Sequence, residues 1–191
     1  DLPDLLELYS TIFDSREPAR ARDGTLMDIQ WDDFEGFVKD MGAALVKAYY
    51  PTMLTTQPML IEHRLERVVN NITVFGTIDL VTASGIPVDL KTAGRTPWQT
   101  DLDYSLQPTF YALLLGGPVD VFAYHYLIKD KKPYYREYRT KRTQQEVDWL
   151  GLAIPHYAKL MQGGIYPPNR TNICKYCSHM QVCFNGGLKL L

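Results

Sequence analysis

Apolar residues recur at helical spacing from the first positions, where Leu2, Leu5, Leu6, Tyr9, Ile12 and Phe13 predict a short amphipathic helix with Pro3 in its first turn. Residues 15–30 are charged and aperiodic and predict a loop. Trp31, Phe34, Phe37, Val38, Met41, Leu45 and Ala48 mark a longer helix that Pro51 is expected to stop. The period then shortens to that of strands. Residues 59–69, 72–82 and 86–92 read as three strands, joined by Asn70-Asn71, which suits a tight turn, and by Ala83-Ser84-Gly85, which has the length and glycine of a hairpin loop. A polar loop over 95–103 leads to a helix that Ser105 is placed to cap, with Pro108 in its first turn and Gly116-Gly117 at its end. Residues 119–129 and 134–141 read as a second strand pair. Thr143 and Glu146 form a capping box ahead of Val147, Leu150, Ile154, Ala158 and Met161, a packing stripe kinked at Pro155 and ended by Gly163-Gly164.

The hairpin around Ala83-Ser84-Gly85 has a chemical consequence. If the loop sets the register, Thr82 faces Ile86, and counting inward brings Asp79 opposite Asp89. Alternation puts Lys91 on the face of Asp89, with Val88 and Leu90 on the other. Like charges opposed across a ladder are unfavourable, so the pair calls for a counter-ion. Two are open: the Lys91 ammonium alone on a solvated face, or a hard divalent cation with oxygen ligands, Mg²⁺ or Mn²⁺.

Composition narrows the class. The chain of 191 residues, 46% hydrophobic and 22% charged, is long enough for a full core. No apolar run reaches membrane-span length and no secretory signal opens it, so an intracellular, cytoplasmic protein without a membrane partner is expected. A net charge of -2 requires any nucleic-acid contact to use a local basic patch. The segment from Lys129 to Arg142 supplies one: Lys129, Lys131, Lys132, Arg136 and Arg139, interleaved with Tyr134, Tyr135 and Tyr138, are the candidate DNA-binding residues. An exposed, solubilised hairpin has the same composition. His125 and His156 have no ligand-like neighbours in sequence and read as structural.

Gly76-x-x-Asp79, Asp89-x-Lys91-Thr92 and Gln107-x-x-x-Tyr111, in that order and spacing, resemble the RecB-like branch of the PD-(D/E)XK nuclease superfamily. The resemblance implies an α/β (α+β) fold with a restriction-endonuclease-like core, a mixed central sheet flanked by helices. It implies one domain over 1–191, with a helical part at 1–57, a catalytic core at 58–162 and a cysteine tail at 163–191. It implies that Asp79, Asp89 and the Leu90 carbonyl hold Mg²⁺ or Mn²⁺, that Lys91 orients the attacking water, and that Gln107 and Tyr111, on one helical face, position the lysine and the DNA backbone. Glu62 matches the family's glutamate on the preceding strand, and a solvent-facing strand glutamate is the plainer alternative. His63, next to it, alternates to the other face.

The implied function is a metal-dependent DNA nuclease, a single-strand-preferring exonuclease in repair, recombination or phage/CRISPR DNA processing, with a helicase or other recombination protein as partner. The alternative is an inactive DNA-binding or scaffolding module of the same fold.

All three cysteines fall in Cys174-x-x-Cys177-x5-Cys183. Their spacing reads as metal ligation rather than a disulfide framework. The triplet resembles that of iron-sulfur RecB-like nucleases, such as exonuclease V, the AddB nuclease and RecB-like CRISPR adaptation nucleases, in which a fourth, N-terminal cysteine completes a 4Fe-4S cluster. This chain has no fourth cysteine, and Val46 stands where those families carry a metal-binding histidine, so an N-terminal segment is expected to be missing. A zinc site with His179, cramped beside Cys177, and unligated thiols are the alternatives.

Overall fold

The computed structural model describes residues 1–15, 34–165, 171–177, 180 and 183. Its elements are α1 (Leu2–Asp14), α2 (Glu35–Thr55), β1 (Pro58–Val69), β2 (Ile72–Thr82), β3 (Pro87–Ala93), α3 (Gln99–Asp103), α4 (Gln107–Leu115), β4 (Val119–Ile128), β5 (Tyr134–Arg142) and α5 (Gln144–Gln162). The strands form one sheet in the order β1-β2-β3-β4-β5, with β2 and β3 antiparallel and β3 and β4 parallel. This is the mixed sheet of an α/β protein, as the sequence motifs imply.

Contacts divide the chain into two compact units: 1–63, 77–105 and 120–141 form the first, and 64–76, 106–119 and 142–191 the second. In the first, α1 packs on α2, with Tyr9 donating to the Lys39 carbonyl at 3.1 Å and its ring lying against Gly42, where any Cβ would collide with it. Phe122, Ala123, Tyr124 and His125 are buried in succession on β4, the signature of a strand covered on both faces. Leu80, Val88 and Ala123 carry that core across three strands. In the second unit α4 packs on α5, and Ala112, Leu113, Leu114, Val147 and Leu150 of these helices are buried. There Arg142, 3% exposed, donates to Thr109 Oγ1 at 2.9 Å.

Local chemistry explains the joints. Asn70 and Asn71 adopt φ of 48° and 63°, the left-handed pair that a two-residue hairpin turn requires and asparagine tolerates. Gly116 ends α4 at φ 107°. The Thr143–Glu146 capping box starts α5 as expected, and that helix runs through Pro155.

Three expectations change. Pro51 does not stop α2, which continues one turn to Thr55, with Thr56 N–H closing onto the Thr52 carbonyl at 2.9 Å; the bonds after the proline still form. Ser105 does not cap α4: Leu106 occupies the cap without a side-chain bond. The polar 95–103 loop contains the short helix α3, whose Asp101 carboxylate accepts from Trp98 N–H at 3.4 Å. Trp31, most of the 15–30 loop and His179 lie outside the described residues.

Candidate active site

The β2–β3 hairpin fixes the register. Gly85, at φ 81°, closes the loop with its N–H on the Thr82 carbonyl at 2.8 Å, and Thr82 Oγ1 accepts from Ile86 N–H at 3.0 Å. Leu80 pairs with Val88 and Val81 with Pro87, so the next position inward sets Asp79 opposite Asp89. The Asp79 carboxylate reaches across the ladder, Oδ2 accepting from Leu90 N–H at 2.9 Å. Asp89 is buried, with 2% of its side chain exposed, and Lys91 Nζ lies 2.8 Å from its Oδ2. A carboxylate leaves water at large cost unless paired, so this ion pair accounts for its burial. The Lys91 side chain keeps 38% of its surface, which leaves the ammonium open to an incoming anion.

The parallel neighbour extends the face. Asp89 pairs with Tyr124 and Lys91 with Tyr126 on β4. Burial raises the Tyr126 pKa, with Asp89, Tyr138 and Asp101 adding to the shift, so its hydroxyl stays protonated at neutral pH. Tyr126 meets the Tyr138 ring of β5 edge-on, centroids 5.6 Å apart.

Glu62 stands on β1 at φ 45°, a left-handed conformation that costs a non-glycine residue about 1–3 kcal/mol in a strand setting. Glu62 and His63 are both exposed. Glu62 lines a groove of about 290 Å³ that Asp79, Leu80 and Leu90 also line, with Tyr49 and Met53 of α2 on its other wall. Gln107 and Tyr111 lie on α4 in the second unit, four apart and so on one helical face, Gln107 half-buried and Tyr111 buried. The structure therefore brings Asp79, Asp89, Leu90 and Lys91 together and sets Glu62 beside Asp79.

Lys129, Lys131, Lys132, Arg136 and Arg139 are all exposed around the β4–β5 turn and along β5. Arg136 lies over the Tyr138 ring, 5.1 Å from its centroid, and Arg139 forms an ion pair with Glu137.

The donor set at β2–β3 fits a hard cation. Mg²⁺ takes one or two carboxylates and completes its shell with water and substrate phosphate, so Asp79, Asp89 and a main-chain carbonyl suffice. Among the described residues no group of three or more His, Cys, Asp or Glu side chains is placed to hold a metal. That gives no support to the iron-sulfur cluster expected of the cysteine tail, and the zinc alternative, which needs His179, lies outside the described residues. Cys174 is half-buried with its sulfur accepting from Thr171 N–H at 3.3 Å, Cys177 and Cys183 are exposed, and the three thiols do not form a ligand set.

A family model described as the PD-(D/E)XK nuclease superfamily matches residues 2–184. The chain belongs to that superfamily. Its members are metal-dependent nucleases that typically use Mg²⁺ or Mn²⁺, in keeping with the donor set of this PD-(D/E)XK protein. Among solved structures, one titled "Crystal structure of SSO0001" is similar, with a TM-score of 0.50 and 18% identity over 82% of this chain and 80% of that one, a likeness of fold. A search of curated proteins found no match. No helix among the described residues is long and apolar enough to cross a membrane.

Two groupings escaped the sequence reading. Trp98 joins Arg136 and Tyr138 around one recess, and Tyr49 joins His125 and Glu137 beneath α2. Both link elements distant in sequence, so no local spacing announces them.

Proposed function

We propose that this chain is a deoxyribonuclease of the RecB-like branch that prefers single-stranded DNA and works from an end. The observation that carries the reading is the Asp79–Asp89 opposition with Lys91 ion-paired to Asp89 at 2.8 Å. A divalent cation held by Asp79, Asp89 and the Leu90 carbonyl supplies Lewis acidity and a more acidic water. Asp79 is held in place by the Leu90 N–H, so its free oxygen lone pairs keep a fixed direction. Asp89 holds the Lys91 ammonium beside the scissile position, where it donates to a phosphate oxygen as negative charge grows. Glu62 shares the Asp79 groove and polarises water there. Gln107 and Tyr111, four apart on α4, position the DNA backbone as the family resemblance implies. The exposed Lys129, Lys131, Lys132, Arg136 and Arg139 track phosphates.

The test is cleavage of single- and double-stranded DNA, linear and circular, with Mn²⁺ or Mg²⁺, for the wild type, Asp89→Ala and Lys91→Ala. Loss in both variants is expected. An active wild type whose rate neither substitution changes overturns the site assignment. A second reading, a DNA-binding module without catalysis, is favoured by the Lys91–Asp89 ion pair, which occupies the buried carboxylate that a cation needs. Calorimetry separates the two: DNA binding with no Mn²⁺ uptake supports the module.

A further inference from the structure

An open recess of about 610 Å³ lies between residues 96–99, just beyond β3, and residues 136–139 of β5. Trp98 forms one side, with 77% of its surface in solvent, and Arg136 and Tyr138 form the other. A lone exposed apolar side chain is ordinary; Trp98 differs in sharing one recess with Arg136 and Tyr138. The two walls are tied together. Gln99 Nε2 donates to the Arg139 carbonyl and to Asp103 Oδ1, both at 2.9 Å, and Thr140 Oγ1 donates to the same Asp103 oxygen at 2.9 Å. The recess is therefore preorganised rather than assembled by its ligand.

Its chemistry is aromatic on one wall and cationic-aromatic on the other. Glu137 offsets the charge of Arg139 through their ion pair, and the Arg136 guanidinium lies over Tyr138. An indole face opposite a guanidinium-capped phenol suits a flat, electron-rich ring joined to an anion. A nucleobase with its phosphate has that form, and only an unpaired base presents its face. The recess also lies on the side of the candidate catalytic lysine: Lys91 pairs with Tyr126, and Tyr126 touches Tyr138. Two strand spacings, about 10 Å, separate β3 from β5.

We propose that this recess is a base-stacking subsite for single-stranded DNA, in which Trp98 stacks on one unpaired base and Arg136 holds the adjoining phosphate. The choice of ligand rests on the nuclease reading above. Such a subsite sets a preference for unpaired strands and fixes the register of the strand over Lys91.

The experiment measures binding of oligothymidylate to the full chain in EDTA by anisotropy and tryptophan fluorescence, so no cleavage step enters. Trp98→Ala is expected to weaken binding about ten-fold or more, Trp98→Phe to retain most of it, and a blunt duplex to bind all three alike. Arg136→Gln is expected to lower the slope of log K against log salt by about one. Because Trp98 is exposed, its replacement leaves the fold intact, which circular dichroism checks. Wild-type affinity in Trp98→Ala, or no oligonucleotide binding by the wild type, overturns the inference. If Trp98→Ala weakens binding in a chain that cleaves nothing, the catalytic reading fails and the subsite stands. If the chain cleaves normally and Trp98→Ala binds as the wild type does, the subsite alone falls.

Discussion

Lys91 Nζ stands 2.8 Å from Asp89 Oδ2, its carboxylate sealed from solvent while the lysine is not. The lysine and a metal therefore compete for one carboxylate. Lys91→Ala removes the competing charge, so Mn²⁺ affinity measured by calorimetry is expected to hold or rise while the cleavage rate falls about a hundred-fold or more. Asp89→Ala is expected to lose both. Equal loss of Mn²⁺ affinity in the two variants contradicts the competition.

Glu62 holds a left-handed φ of 45° in β1, beside Asp79 in one groove. Glycine adopts that conformation without strain but gives the unfolded chain more freedom, by about 0.5–1 kcal/mol. Against about 1–3 kcal/mol of relieved strain, Glu62→Gly is expected to leave the melting temperature unchanged or a few degrees higher while lowering nuclease activity. Glu62→Gln keeps the backbone and isolates the charge. A drop in melting temperature for Glu62→Gly with full activity shows that Glu62 serves the fold, not the site.

The fold was legible through the resemblance that three motifs carry, and the opposition of Asp79 and Asp89 because it is local. Hairpin loop length and period-two alternation are enough to oppose Asp79 to Asp89 and to put Lys91 beside Asp89, and no distant contact is needed. Pro51 misled because a helix tolerates a proline near its end when later bonds close the turn. The left-handed Glu62 was invisible, since the signals for positive φ are glycine and asparagine. Trp98 was passed over because its partners Arg136 and Tyr138 arrive from a strand nearly forty residues away.

Gly116 closes α4 at φ 107°, and a Cβ there meets Arg67 Nη2 at 2.9 Å. Arg67 Nη1 in turn donates to the Leu113 carbonyl at 3.1 Å, which also accepts from the Gly116 N–H at 3.2 Å. Gly116→Ala imposes the left-handed penalty of about 1–2 kcal/mol and pushes the guanidinium from its carbonyl. The expected result is a melting temperature several degrees lower, and Gly116→Asn, which tolerates this conformation better, should fall less. Equal melting of Gly116→Ala and the wild type contradicts the assignment.

His125 is 4% exposed, and Tyr49 Oη lies 2.7 Å from its Nδ1. Tyr49 is pushed up to about 12, by burial first and then by Glu137, so its hydroxyl keeps its proton. The other ring nitrogen of His125, Nε2, lies 3.7 Å from Glu137 Oε2. Burial holds the His125 pKa below 6.5; Glu137 opposes that shift and Arg139 reinforces it, while the Tyr135 hydroxyl, protonated and bonded to Glu137, adds no charge. Because the folded value lies below the unfolded one, the unfolded chain takes up this proton first. The stability it contributes is complete above about 6.5 and is lost as pH falls through the folded pKa. Between pH of about 7.5 and 5 the wild type is expected to lose melting temperature more steeply than His125→Gln, which carries no titrating ring. Parallel slopes for the two proteins show that His125 does not titrate on unfolding in this range.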